Sequence, residues 1–254
     1  MLSHKAMSRN LVIAHRTDLG MQRKENQDAC GFWRDTISGD HLLVVADGMG
    51  GAACGSAASR LAVRIIQEHF FNTAWQQIAI NERLAQAIIV ANQMVHQEAE
   101  ANPQCQGMGT TCVVVAISGR YAFLAHVGDS RIYLVREQRI ARLTRDHSLV
   151  QRMLDDGLIE EEEAATHPQK NVLQRAIGPR LDIVPEVRPE PVELQPGDIL
   201  VLCTDGLCGL VDDHEIFELA MHNEPQPACD GLVNLANERG GPDNITVAIC
   251  KVES

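Results

Sequence analysis

Residues 41–51 read HLLVVADGMGG, an apolar run that ends in an aspartate and then in glycines. Leu42, Leu43, Val44 and Val45 have the composition of a buried strand, and Gly48, Gly50 and Gly51 stop it. Upstream, 11–17 (LVIAHRT) is a second β-type run. Downstream, Ala58, Leu61, Ala62, Ile65, Ile66 and Phe70 recur at helical spacing, which predicts a helix over 56–71. A second helix is expected over 81–98 from Leu84, Ile88, Ala91 and Val95, with Asn81 as N-cap. Strands resume at 110–117, 121–127 and 131–137, the first two joined by a Ser118-Gly119-Arg120 hairpin turn. The stretch 147–167 reads as two short helices broken at Gly157, the second opened by the acidic run 160–163. Strands follow at 187–194 and 198–204 around a Pro196-Gly197 turn, then helices over 213–222 and 226–239, then a last strand over 244–252. Strands, paired helices, strands, helices, strand is an α+β pattern with mostly antiparallel pairing, without the βαβ rhythm of a nucleotide-binding sheet.

The chain has 254 residues, 45% hydrophobic and 22% charged, so one core can form without cofactors or disulfides. A formal net charge of -12 argues against nucleic acid or an anionic membrane as partner. The eight cysteines form no CxxC pair, and their apolar neighbours mark them as reduced, buried small residues of a cytoplasmic protein. The opening MLSHKAMSRN lacks the apolar run of a signal peptide, and Met7 could equally be the start.

The chemistry lies in where the aspartates fall. Asp47 and Asp205 each end an apolar run and precede a glycine; Asp129 sits in VGDSR between two strands; Asp243 sits in GGPDN just before one. One Asp-Gly at a strand end is ordinarily a turn. Four carboxylates at the ends of buried strands repel one another and lose hydration, which calls for a cation among them. Oxygen-only ligation favours magnesium or manganese, and the dispersed histidines give no zinc pattern. Gly48 leaves room for a backbone carbonyl to approach an ion. In RKENQD, Arg23 can clamp two phosphate oxygens, or else form a surface salt bridge; Asp28 lies just before a strand.

Taken together these segments resemble the metal-dependent protein phosphatases of the 2C type, in their bacterial branch. The motifs are TDLGMQRKENQD, VVADGMGG, GMGTTCVVV, HVGDSRIY, LTRDHS, HPQKNVLQRAIG, LQPGDILVLCTDGL and GGPDNITV, in order along the chain. The resemblance implies a four-layer α-β-β-α sandwich of two antiparallel sheets flanked by helices. It implies a single phosphatase domain over 8–254, with a flap at about 146–178. It implies two manganese or magnesium ions, bridged by Asp47 and bound by the Gly48 carbonyl, Asp205 and Asp243, with Asp28 supporting their waters. A weaker third ion falls to Asp129 with Asp205. Arg23 takes the phosphoryl group, and the substrates are phosphoserine and phosphothreonine proteins, targets of a kinase on a separate chain. Arg23→Ala is then expected to weaken phosphopeptide binding with little change in metal affinity.

Three positions depart from the family pattern: Ala52 and Met49 stand where members carry histidine, and Gln27 replaces a frequent glutamate. A general acid is therefore not evident, and water at the ions or His167 on the flap are the candidates. Two other readings stand beside hydrolysis at a two-metal-activated water. One is a pseudophosphatase that binds phosphoproteins. The other is a serine esterase using Ser130 of Gly128-Asp129-Ser130, although no Asp-x-x-His follows near the C-terminus.

Overall fold

A computed structural model describes residues 10–51 and 54–253. Ala52 and the ends of the expected 8–254 domain lie outside those residues. The chain runs β1 (Leu11–Asp18), β2 (Asp28–Arg34), β3 (His41–Met49), α1 (Cys54–Phe70), α2 (Ile80–Ala101), β4 (Gly109–Thr110), β5 (Cys112–Ser118), β6 (Tyr121–Val127), β7 (Arg131–Arg136) and β8 (Arg139–Arg142). There follow α3 (Leu149–Asp155), α4 (Glu161–Thr166), β9 (Glu186–Val187), β10 (Val192–Glu193), β11 (Ile199–Cys203), α5 (Asp205–Cys208), α6 (Asp213–His222), α7 (Pro225–Glu238) and β12 (Ile245–Val252). One sheet has the order β1-β12-β11-β7-β8 and the other β10-β6-β5-β3-β2, with β4 beside β3 and β9 beside β6.

Three layers of apolar side chains separate four layers of backbone. In β3, Leu42, Val44 and Ala46 face α1 and α2, where they meet Ala58, Ile66, Leu84 and Ile88. Leu43 and Val45 point the other way, onto Leu200, Leu202 and Cys250 of the opposite sheet. Val201 and Cys203 of β11 turn outward onto Ile216, Leu232 and Val233 of α6 and α7. A strand covered on both faces needs no polar alternation, which is why its sequence reads as an unbroken apolar run. The fold is the α+β sandwich expected from the sequence.

Local readings needed correction in four places. Asn81 does not cap α2: Ala79 holds the N-cap position without a side-chain bond, and the Asn81 amide instead donates to the carbonyls of Arg188 and Pro189. The expected strand over 187–194 is two two-residue strands, because Pro189 and Pro191 have no N–H for a ladder. Asp205 opens a one-turn helix rather than a simple turn. The cysteines are not all reduced.

Cys54 and Cys105 form a disulfide across 51 residues. Cys54 begins α1, Cys105 lies in the one-turn helix just after α2, and side-by-side packing of α1 and α2 brings the two α-carbons to 5.3 Å. That proximity is tertiary and leaves no mark on the spacing in sequence. Closing a loop of this size contributes about 2–4 kcal/mol. Cys54→Ser is therefore expected to lower the melting temperature by roughly 5–10 °C under oxidising conditions. Dithiothreitol should bring the wild type down to the same value; a wild-type transition indifferent to reductant would show that the pair is unbridged in solution.

Candidate active site

Two pairs of strands deliver carboxylates to one end of the sandwich. In one sheet, Asp28 of β2 stands directly opposite Asp47 of β3 in the register. Gly48 follows within β3, and its N–H donates to the Gln27 carbonyl at 3.1 Å. A Cβ on Gly48 would lie 2.1 Å from the Gly55 carbonyl oxygen, so only glycine fits there. In the other sheet, β11 ends one residue before Thr204-Asp205, and Asp243 stands two residues before β12. A Cβ on Gly206 would meet the Asn244 carbonyl oxygen at 2.0 Å, so these two strand ends touch backbone to backbone. Asp129 lies in the crossing from β6 to β7, where the chain passes from one sheet to the other. Asp129, Asp205 and Asp243 line a cleft of about 1070 Å³, whose far wall is formed by α3 and the start of α4. Asp28 and Asp47 do not line the cleft, but both lie close enough to Asp205 to feel its charge.

The five aspartates act on one another. Burial, then the charges of Asp205 and Asp243, push the Asp28 carboxyl up to about 7 even though Thr204 and Thr246 bond to it. Burial, then Asp28 and Asp205, raise Asp47 far above the usual carboxylate range. Asp205 is raised by burial and by Asp243, while its contact with the Asp47 carboxyl acts in the opposite direction. Burial, then Asp205 and Asp146, push Asp129 up to about 8. Asp28 Oδ1 and Asp205 Oδ1 are buried with no hydrogen-bond partner. Buried carboxylate oxygens without donors, crowded until they hold protons near neutrality, match the requirement of a hard divalent cation. The donor set is all oxygen and fits manganese or magnesium.

Arg23 lies on the cleft wall, half-exposed, with Nη2 donating to Asp243 Oδ2 at 2.7 Å. The guanidinium thus sits on a carboxylate expected to hold metal, which alters the expectation for its removal. A cation approaching Asp243 must displace Arg23. Arg23→Ala should raise the phosphopeptide KM roughly tenfold or more, as loss of a charged hydrogen bond does. It should also tighten manganese binding by up to about fivefold, the worth of an exposed ion pair. Weaker manganese binding in titration calorimetry would show that Arg23 supports the ions rather than competing with them.

The structure does not bring His167 to the aspartates. The cleft wall nearby is made by Ala164, Lys170 and Asn171, and His167 Nδ1 instead accepts the Gln169 N–H at 3.1 Å. Ser130 is 1% exposed and its hydroxyl is paired with Thr111 Oγ1 at 2.7 Å, an enclosed position that no acyl substrate reaches. Sequence reasoning singled out neither Arg131 nor Asp146. They form a forked ion pair, Nε to both carboxylate oxygens at 3.1 and 3.2 Å and Nη2 to Oδ2 at 2.7 Å, on the cleft wall beside Asp129 and Asp205. Their signal was the two motifs that carry them, HVGDSR and LTRDHS. Asn244 also escaped notice; its side chain accepts from Gln27 N–H and donates to the carbonyls of Leu19 and Glu25, fixing the Arg23 loop against β12.

Comparison with known proteins gives the same assignment as the site. The family profile described as protein phosphatase 2C matches residues 21–227. Protein phosphatase PhpP of Streptococcus pneumoniae is 38% identical over 241 residues, covering 94% of this chain and 96% of that one. The serine/threonine phosphatase of S. agalactiae superposes with a TM-score of 0.88 at 36% identity, over 96% of this chain and all of that one. The catalytic domain of the serine/threonine protein phosphatase PstP, solved with two manganese ions, superposes with a TM-score of 0.84 at 32% identity, over 96% and 99% of the two chains. This chain belongs to the protein phosphatase 2C family, and is a metal-dependent serine/threonine protein phosphatase.

Proposed function

We propose that Asp47, Asp205 and Asp243, with the Gly48 carbonyl, hold two manganese or magnesium ions, that Asp28 orders the surrounding water, and that Asp129 with Asp205 holds a weaker third. The observation that carries this reading is the convergence of five carboxylates from two sheets, two of them with orphaned buried oxygens. When bound, such ions supply an acidified water and positive charge for an in-line displacement at phosphorus. The chain's own residues do the rest. Asp47, whose buried carboxyl favours a proton in the metal-free fold, would release it to hold metal. Arg23, released from Asp243, is free to take the phosphoryl oxygens and offset the charge that builds on them. Thr204 Oγ1 donates to Asp28 Oδ2 at 3.0 Å and keeps that carboxylate turned toward Asp47. With Met49 apolar and His167 off the cleft wall, the leaving hydroxyl takes its proton from solvent in the open cleft.

Substrates are phosphoserine and phosphothreonine in proteins, phosphorylated by a kinase on another chain. The acidic surface disfavours nucleic acid, and no helix among the described residues is long and apolar enough to cross a membrane. A cytoplasmic setting is the reading that fits both, with the Cys54–Cys105 bridge, unusual in a reducing compartment, standing against it. Turnover of p-nitrophenyl phosphate and of a phosphothreonine peptide in manganese, with and without EDTA, tests the reading. Chelator should abolish both activities and manganese restore them. A folded, manganese-loaded protein that binds the peptide without releasing phosphate would establish the pseudophosphatase instead.

A further inference from the structure

Behind the cleft, between the flap and the body, four of the hydrogen bonds at His147 reach three separate segments. Its N–H donates to the Gly128 carbonyl at 2.9 Å, and its own carbonyl accepts Gln174 N–H at 2.8 Å. Its ring Nδ1 accepts the Gly128 N–H at 3.2 Å, and Nε2 meets Glu186 Oε2 at 3.1 Å. Leu149 N–H donates to the Val172 carbonyl just beyond, so the two ends of the flap, 147–149 and 172–174, are sewn together at this residue.

The Gly128 N–H can only donate, so Nδ1 must carry the lone pair and Nε2 the proton. The ring is 8% exposed and lies stacked on His126, 4.6 Å between centroids, while His126 Nε2 is itself bonded to the Arg145 carbonyl. Burial, then His126, push the His147 imidazole down to about 4, with Arg175 adding to the effect and Glu186 opposing it, so the ring is neutral at physiological pH. His126, His147 and Glu186 do place three ligand atoms within 4.8 Å of one another. The Arg175 guanidinium 3.3 Å from His147 Nε2 opposes a cation there, and the ring nitrogens already named are committed to other groups. The cluster is a clasp.

What the clasp grips gives it consequence. Gly128 adopts φ +104°, and a Cβ there would lie 2.5 Å from Thr111 Cγ2. Thr111 in turn donates its N–H to the Asp47 carbonyl and accepts the Asp47 N–H on its hydroxyl at 3.0 Å. The turn before Asp129 is therefore wedged between the Asp47 strand on one side and the flap root on the other.

We propose that His147 is a positioning residue that fixes the flap, 149–174, against the Gly128-Asp129 turn, through the bond from Gly128 N–H to its Nδ1. Its bearing on catalysis rests on one further premise, that α3 and α4, which form the far wall of the cleft, meet the phosphoprotein there. Two side chains separate the bonds: asparagine at 147 can offer an acceptor where Nδ1 stands, whereas glutamine places its amide near Nε2. The test uses the full chain with manganese and the variants His147→Ala, His147→Asn and His147→Gln. Amide exchange over 149–174 should quicken about tenfold in the alanine and glutamine variants, the factor for one buried hydrogen bond, and stay near wild type in the asparagine variant. Exchange in β3 and β5 should not change. The phosphopeptide KM should rise with the exchange rate, more than kcat falls. Unchanged flap exchange in His147→Ala overturns the proposal, and if that variant does not fold, glutamine protecting the flap better than asparagine overturns it equally. A loosened flap with an unchanged phosphopeptide KM upholds the clasp and rejects instead the flap's part in recognition.

Discussion

Asp47→Asn lowers turnover of p-nitrophenyl phosphate and phosphopeptide by more than 100-fold, and the metal-free variant is more stable than the metal-free wild type. Both effects come from one charge. Loss of a group one step removed from a metal costs about 10–100-fold in affinity or activity, and the carboxylate proposed to serve two ions costs more. Without metal the same carboxylate is a liability, crowded by Asp28, Asp205 and Asp129 and pushed far above its ordinary range. Asparagine keeps the shape and can still bond to Asp205 without contributing a charge. The Asp47 backbone is held independently, by Thr111 Oγ1 accepting its N–H and Thr111 N–H meeting its carbonyl, so the strand end survives the change. Far-UV circular dichroism should therefore be unaltered. A variant with near wild-type turnover would reduce Asp47 to a turn residue; one that is less stable without metal would mean that burial and crowding of this carboxyl do not weaken the metal-free fold.

The layers and most elements were legible in the sequence because each rests on a local pattern. A five-residue apolar run, Leu42 to Ala46, stops at Asp47-Gly48, and a 3.6-residue period marks α1 and α2. Even the flap helices could be placed, since Gly157 separates them at φ +66° and Glu160 with Glu163 forms a capping box. The aspartates were legible for a related reason: carboxylates at strand ends beside glycine recur four times, and recurrence distinguishes a site from a turn. What escaped was information held between distant segments. Cys54 and Cys105 meet only because two helices pack. Asn81 looks like a cap but is drawn to carbonyls more than 100 positions away. β8, with the sequence RIAR, is a four-residue edge strand with an arginine at each end, too short and too charged to show alternation. His147 was hidden by its motif, where it reads as one residue among six, and only the fold shows that it touches Gly128, Gln174 and Glu186 together.

Stripped of metal, the protein should lose stability as pH rises from 6.5 to 8.0, and manganese should reverse the trend. In the unfolded chain these carboxyls titrate near 4 and carry no proton anywhere in this window. In the metal-free fold Asp28 is pushed up to about 7 and Asp129 up to about 8, so the native state binds more protons than the unfolded one. Stability then falls with pH, because its slope follows the protons bound by the unfolded state minus those bound by the native state, here a negative difference. The contribution is fully present below pH 4 and is lost as pH passes 7 and 8. The two groups together give a loss of about 2 kcal/mol across the window, or roughly 4–8 °C in melting temperature. His41, His69, His126 and His147, whose pKa values are lowered by burial, act in the opposite sense: the unfolded chain is still partly protonated at these positions just above pH 6.5, so they offset part of the fall up to about pH 7.2 and leave the carboxyl slope to be read between 7.2 and 8.0. With manganese present the ions stabilise the ionised carboxylates, and since metal competes with protons its stabilisation grows with pH. Thermal denaturation in EDTA and in manganese at pH 6.5, 7.2 and 8.0 measures both slopes. Asp28→Asn and Asp47→Asn should each flatten the EDTA series. An EDTA series in which the wild type gains stability toward pH 8.0 would mean that these carboxyls are already ionised at 6.5, and that the crowding that calls for a cation is absent.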